Sequence, residues 1–99
     1  MSKRNFTGKT VFITGASLGV GLATAQAFHG AGANVAMLAR RIAPLEAAAS
    51  GLERSLVLQG DVSDADAMAQ ALAATVARFG GIHGLVNNAG AHFRGPLEK

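Results

Sequence analysis

Cysteine, tyrosine and tryptophan are absent from this 99-residue chain, proline occurs twice, and the five phenylalanines are its only aromatics. Without cysteine there is no disulfide framework and no thiolate metal site. Without tyrosine no phenol can act as a general acid or base, and no other titratable side chain stands in a recognisable catalytic setting. Charge is sparse as well. Asp, Glu, Lys and Arg make up 15% of the residues against 49% hydrophobic, a balance too apolar for disorder. No apolar run approaches the roughly 20 residues of a membrane helix. The opening Met1-Ser2-Lys3-Arg4-Asn5 is polar and leads toward a strand with no apolar signal core. A secretory signal is therefore not expected, and a cytoplasmic location is the simplest expectation.

The formal charge of +3 raises the question of nucleic acid. The basic residues are scattered, and only Lys3-Arg4 and Arg40-Arg41 are adjacent. A nucleic-acid binder concentrates Lys and Arg on one face, so none is expected as a partner. His29, His83 and His92 offer no i,i+4 pair for a metal, and no metal site is expected. Gly8-Lys9-Thr10 matches the end of a phosphate-binding P-loop. Lys3 stands where that motif needs its first glycine, and the tripeptide precedes a strand instead of following one.

What is present is a strand–helix rhythm. Lys9–Thr14 reads as a short buried strand, and Gly19 to about Ala31 as a helix closed by Gly30 and Gly32. Asn34–Ala39 is a second strand. Arg41 to about Leu52 is a second helix, with Pro44 tolerated in its first turn. Ser55–Gln59 is a third strand. Ser63 reads as the N-cap of a third helix, with Asp64 and Asp66 near its positive start. Met68, Leu72, Val76 and Phe79 form one apolar stripe along that helix, which Gly80-Gly81 ends. Gly84–Asn87 is a fourth strand.

Helices of this length between strands imply parallel pairing through right-handed crossovers. The continuously apolar strands suit a sheet covered on both faces. The expected class is α/β: a Rossmann-like, doubly wound parallel sheet of strand order 3-2-1-4, in a single segment over residues 1–99 with helices on both faces. In that order the fourth strand is an open edge, Leu85 and Val86 lack cover, and the isolated 99 residues are expected to be only marginally stable.

The glycines after the first strand have physical tasks. A loop there must turn into a helix whose free N–H groups point at a bound phosphate. Gly15 suits the turn, Gly19 lets the main chain approach a pyrophosphate, and Gly21 lets the helix pack closely on the sheet. Thr14 and Ser17 add hydroxyls, and Leu18 belongs to the same loop. Close packing without a ligand is the plainer reading of a glycine pattern alone, and the strand before and helix after it favour the phosphate.

At the end of the second strand a carboxylate would accept from the ribose 2′-hydroxyl of NAD. Here Ala39-Arg40-Arg41 has none. An arginine can grip the 2′-phosphate of NADP as a charge-assisted fork, with Arg40 the first choice and Arg41 the second. The plainer reading is two solvated charges opening a helix. NADP is the expected cofactor, with NAD the alternative.

Val11-Phe12-Ile13-Thr14-Gly15-Ala16-Ser17-Leu18-Gly19-Val20-Gly21 near the N-terminus and Leu85-Val86-Asn87-Asn88-Ala89-Gly90 near the C-terminus together resemble the short-chain dehydrogenase/reductase family. The resemblance covers essentially the whole chain, but only the first, cofactor-binding part of the family's domain. It implies that Asp61 and Val62 border the adenine ring, although Asp61 also reads as a simple turn residue before a helix. It implies that Asn87 ties neighbouring strands together, and that Asn88, Ala89 and Gly90 line the cofactor cleft. The family's catalytic Tyr-x-x-x-Lys has no counterpart here, so no catalytic residue is assigned. Two functions follow. One is an oxidoreductase fragment binding NADP(H) for hydride transfer to or from a carbonyl or alcohol, inactive by itself and open to homo-oligomerisation when full length. The alternative is a non-catalytic dinucleotide-binding module.

Overall fold

The computed structural model describes residues 6–15 and 19–87. Four strands and three helices alternate along them: β1 (Thr10–Thr14), α1 (Gly19–Gly30), β2 (Asn34–Ala39), α2 (Ile42–Ala49), β3 (Ser55–Gln59), α3 (Ala65–Phe79) and β4 (Gly84–Asn87). The sheet order is β3-β2-β1-β4 and every pairing is parallel. This is the α/β arrangement expected from the rhythm of the sequence.

β1 reads Thr-Val-Phe-Ile-Thr, a run of β-branched and aromatic residues suited to a pleated surface. As a central strand it is buried along its whole length. Alternate side chains enter two separate cores. Val11 and Ile13 join Ala25, Val35, Met37 and Leu45 beneath α1 and α2. Phe12 joins Ala36, Leu38 and Ala71 beneath α3. Fully burying a side chain such as Phe12 contributes about 1.5–3 kcal/mol.

Cover on both faces holds for β1 and β2 only. β3 is half-buried up to its exposed last residue, Gln59, and β4 alternates, with Leu85 62% exposed. Among the described residues each outer strand has a neighbour on one side only.

Three features of the helices differ from the sequence expectation. α2 ends at Ala49, not near Leu52. The N-cap of α3 is Asp64, not Ser63. The Oδ1 of Asp64 accepts from the backbone N–H groups of Asp66 and Ala67 at 3.0 and 3.1 Å. Ser63 is already engaged, because its N–H and its hydroxyl both donate to Asp61 Oδ1. The buried stripe of α3 is also rotated. Ala71 and Thr75 are its buried residues, Met68 and Leu72 pack beside them, and Val76 is 46% exposed. Small side chains let the helix lie close to the sheet, and Thr75 satisfies its buried hydroxyl by donating to the Ala71 carbonyl at 2.8 Å. Gly80 closes the helix in a left-handed conformation, and its N–H donates to the Val76 carbonyl.

Side chains staple the sheet at both ends. At the amino end, the Thr10 N–H donates to His83 Nδ1 at 2.9 Å, and the His83 N–H donates to the Thr10 carbonyl at 2.8 Å. At the carboxyl end, the Thr14 hydroxyl donates to Asn87 Oδ1 at 2.8 Å. A third tie joins α1 to the start of β3: the Arg54 N–H donates to His29 Nε2, and its guanidinium donates to the His29 carbonyl.

Candidate cofactor cleft

Because all four strands are parallel, their carboxyl ends reach one side of the molecule, and so does the start of α1. In open α/β sheets that side carries the ligand crevice. A cavity of about 400 Å³ lies there, lined by Gly15, Leu38, Ala39, Arg40, Gly60, Asp61 and Val62.

Gly15 leaves β1 with φ +69°, a conformation an L side chain adopts only with strain, and its N–H donates to the Leu38 carbonyl at 2.9 Å. The chain thus turns sharply while still attached to β2. Thr14 is buried and committed to Asn87. Its hydroxyl therefore has a structural partner across the sheet, which joins the end of β1 to the start of the Asn-Asn-Ala-Gly segment. Gly19 opens α1, and Gly21 is buried in the first turn. Ser17 and Leu18, and likewise Asn88, Ala89 and Gly90, lie outside the described residues.

Opposite Gly15, Arg40 follows β2 directly, and its side chain is 78% exposed. Its Nη1 lies 3.9 Å from Asp61 Oδ2, a loose pair between exposed groups worth little by itself. Asp61 is fixed mainly by Ser63. The Ser63 N–H donates to Oδ1 at 2.9 Å and its hydroxyl at 2.8 Å. These bonds, backbone first, and then the Arg40 charge hold the Asp61 carboxyl below the usual carboxylate range. One oxygen is occupied and the other faces Arg40. Val62 adds a 39% exposed apolar surface to the rim. Arg41 occupies the N-cap position of α2 in extended conformation without a side-chain capping bond, and is not among the described residues lining the cavity.

Sequence reasoning did not single out Gln59. Its side-chain amide donates to the Arg40 carbonyl at 3.0 Å. The available signal was its position, the last residue of a strand that pairs with the one preceding Arg40.

A larger cavity, about 580 Å³, lies beside the amino ends of β1 and β4 between Phe6, Phe28, Val11 and Leu85. Its walls are mainly hydrocarbon, with Lys9 and His83 as polar members, and it lacks the helix start that could receive a phosphate. Among the described residues, the smaller cleft offers the Arg40 guanidinium and the Asp61 carboxylate as its charged groups. Among the described residues no cluster of His, Cys, Asp or Glu could hold a metal ion, and no helix is long and apolar enough to cross a membrane.

The family model of the short chain dehydrogenases matches residues 9–99. The chain belongs to the short-chain dehydrogenase/reductase family. It is 36% identical to a gluconate 5-dehydrogenase of Gluconobacter oxydans, over 96% of this chain and 39% of that protein. Among solved structures, a short-chain dehydrogenase/reductase of the glucose/ribitol dehydrogenase type from Brucella melitensis superposes with a TM-score of 0.80 at 35% identity, covering 86% of this chain and 37% of that one. The NADP-containing C-domain of a bacterial malonyl-CoA reductase superposes with a TM-score of 0.78 at 32% identity, covering 87% and 15%. This chain thus spans well under half the length of these relatives. Family members use a nicotinamide cofactor on small molecules.

Proposed function

We propose that this chain is the cofactor-binding segment of an NADP(H)-dependent oxidoreductase that moves a hydride between a carbonyl and an alcohol. The observation that carries the choice of NADP is the exposed Arg40 guanidinium at the rim of the cleft, directly after β2, where a carboxylate would favour NAD. The donor set suits the ligand. Arg40 would hold the 2′-phosphate, with Arg41 next to it as the second cation. Asp61 would accept from the adenine amino group through the oxygen that Ser63 does not occupy, and Val62 would lie along the ring. Thr14, Gly15, Ser17, Leu18, Gly19 and Gly21 would carry the pyrophosphate into the start of α1. Asn88, Ala89 and Gly90 would flank the nicotinamide ribose.

The cofactor, when bound, supplies the hydride chemistry. This segment binds and orients it. Without a tyrosine the 99 residues offer no phenolic acid, and by themselves they are expected to bind the cofactor without turnover. The C-domain of malonyl-CoA reductase, similar in fold and solved with NADP, supports the same cofactor here.

Arg40→Asp tests the assignment. A charge-assisted contact to phosphate is worth about 1.5–3 kcal/mol, and replacing it with a carboxylate adds repulsion. NADPH affinity is expected to fall more than tenfold while NADH affinity holds or rises. An unchanged NADPH/NADH preference would contradict the NADP reading.

A further inference from the structure

We infer that Gln59 is a positioning residue for cofactor discrimination, which it exerts by holding the backbone of Arg40. This rests on the reading of Arg40 as the 2′-phosphate contact.

The β2–β3 ladder ends at the pair Ala39 and Gln59, with one further bond from the Gly60 N–H to the Ala39 carbonyl at 3.0 Å. Beyond that point the two chains separate. The chain after β3 bends into the Asp61–Ser63 turn, where the Asp64 N–H donates back to the Asp61 carbonyl. The Arg40 carbonyl is therefore met by a side chain, the Gln59 amide at 3.0 Å. On its other side Arg40 adjoins Arg41, whose side chain makes no capping bond at the start of α2. The Arg40 guanidinium is mostly exposed, and among the described residues its charged neighbour is Asp61, in a loose contact. A mobile cation on a mobile backbone would bind phosphate at a large cost in conformational entropy. Fixing the Cα lowers that cost for the whole side chain. Gln59 thus extends the sheet by one bond and sets where the guanidinium starts. An NADH molecule has no 2′-phosphate and gains nothing from this placement.

The test compares Gln59→Ala and Gln59→Leu with Arg40→Ala in the full chain, reading dissociation constants for NADPH and NADH and the thermal midpoint. Gln59 is exposed, and Leu retains most of its hydrocarbon. The expected result is a loss of about three- to tenfold in NADPH affinity, the range of one net hydrogen bond, with NADH affinity unchanged and at most a small fall in midpoint. A merely structural role would weaken both cofactors together and lower the midpoint. That result, or no change in either affinity while Arg40→Ala still shifts the preference, overturns the role of Gln59 alone. If Arg40→Ala leaves the preference unchanged, the NADP assignment itself fails and this inference falls with it.

Discussion

Removing the Thr14 hydroxyl should uncouple the two motif-bearing strands. Thr14 is almost completely buried, forms the last register pair of β1 with β4, and donates to Asn87 Oδ1 at 2.8 Å. Thr14→Val keeps the β-branched shape and deletes this donor. The lost bond costs about 0.5–1.5 kcal/mol. Asn87 is exposed, so water can satisfy its oxygen and no buried acceptor is stranded. The new methyl recovers part of the loss through burial, up to about 0.8 kcal/mol. The net destabilisation is therefore expected between about 0 and 1.5 kcal/mol, with each 1 kcal/mol lowering the midpoint by about 4–8 °C in a chain of this length. Urea unfolding should show the change as a lower midpoint at constant slope. The pairwise part is isolated by a double-mutant cycle with Asn87→Ala, for which a coupling of about 0.5–1.5 kcal/mol is expected. Additivity of the two single effects, within about 0.3 kcal/mol, would refute the claim that this bond joins the strands. The same variants should also weaken cofactor binding, since Thr14 precedes Gly15 and Asn87 precedes Asn88 on either side of the proposed cleft.

Two other outcomes follow from local geometry. Asp64→Ala leaves the Asp66 and Ala67 N–H groups without their cap and should cost about 1 kcal/mol, whereas Ser63→Ala should leave the cap of α3 intact and act through Asp61; equal losses of α3 stability in thermal melts would contradict the assignment of the cap. Burial first, then the Arg54 charge, lowers the His29 pKa below the ordinary histidine value of about 6.5, against an opposing contribution from Glu53. The unfolded chain then binds the proton more readily, so His29 contributes stability that is complete above about pH 6.5 and is lost as pH falls through the lower folded value. Protonation would also place a second N–H against the Arg54 N–H that His29 Nε2 now accepts. Chemical unfolding in this window should show stability declining with acidity, with a shallower decline in His29→Gln; an identical slope would rule out His29 as the source.

The order of elements was legible in the sequence because short apolar runs alternated with helix-length segments bounded by glycine. The strands Asn34–Ala39, Ser55–Gln59 and Gly84–Asn87 appear with the expected limits, and their order follows from parallel crossovers. Gly15, Arg40, Asp61 and Val62 stood out in the sequence as candidate site residues, and the fold places all four around one cleft. Reading Ser63 as the cap failed because periodicity does not reveal which of two neighbouring capping residues a preceding aspartate will occupy. Reading Val76 as part of the buried stripe failed because Ala71 and Thr75 set the close face of α3, and size alone favours the larger residues.

The sequence by itself determined the elements, their parallel connection, the family and the motif types at the strand ends. These depend on spacing and local chemistry, which are linear properties. Tertiary structure decided which polar groups meet: Thr14 with Asn87, Thr10 with His83, Arg54 with His29, and Gln59 with Arg40. Those partners lie 19 to 73 residues apart. A hydrogen bond needs its atoms within about 3 Å, a distance between remote residues that only the register of the assembled sheet sets.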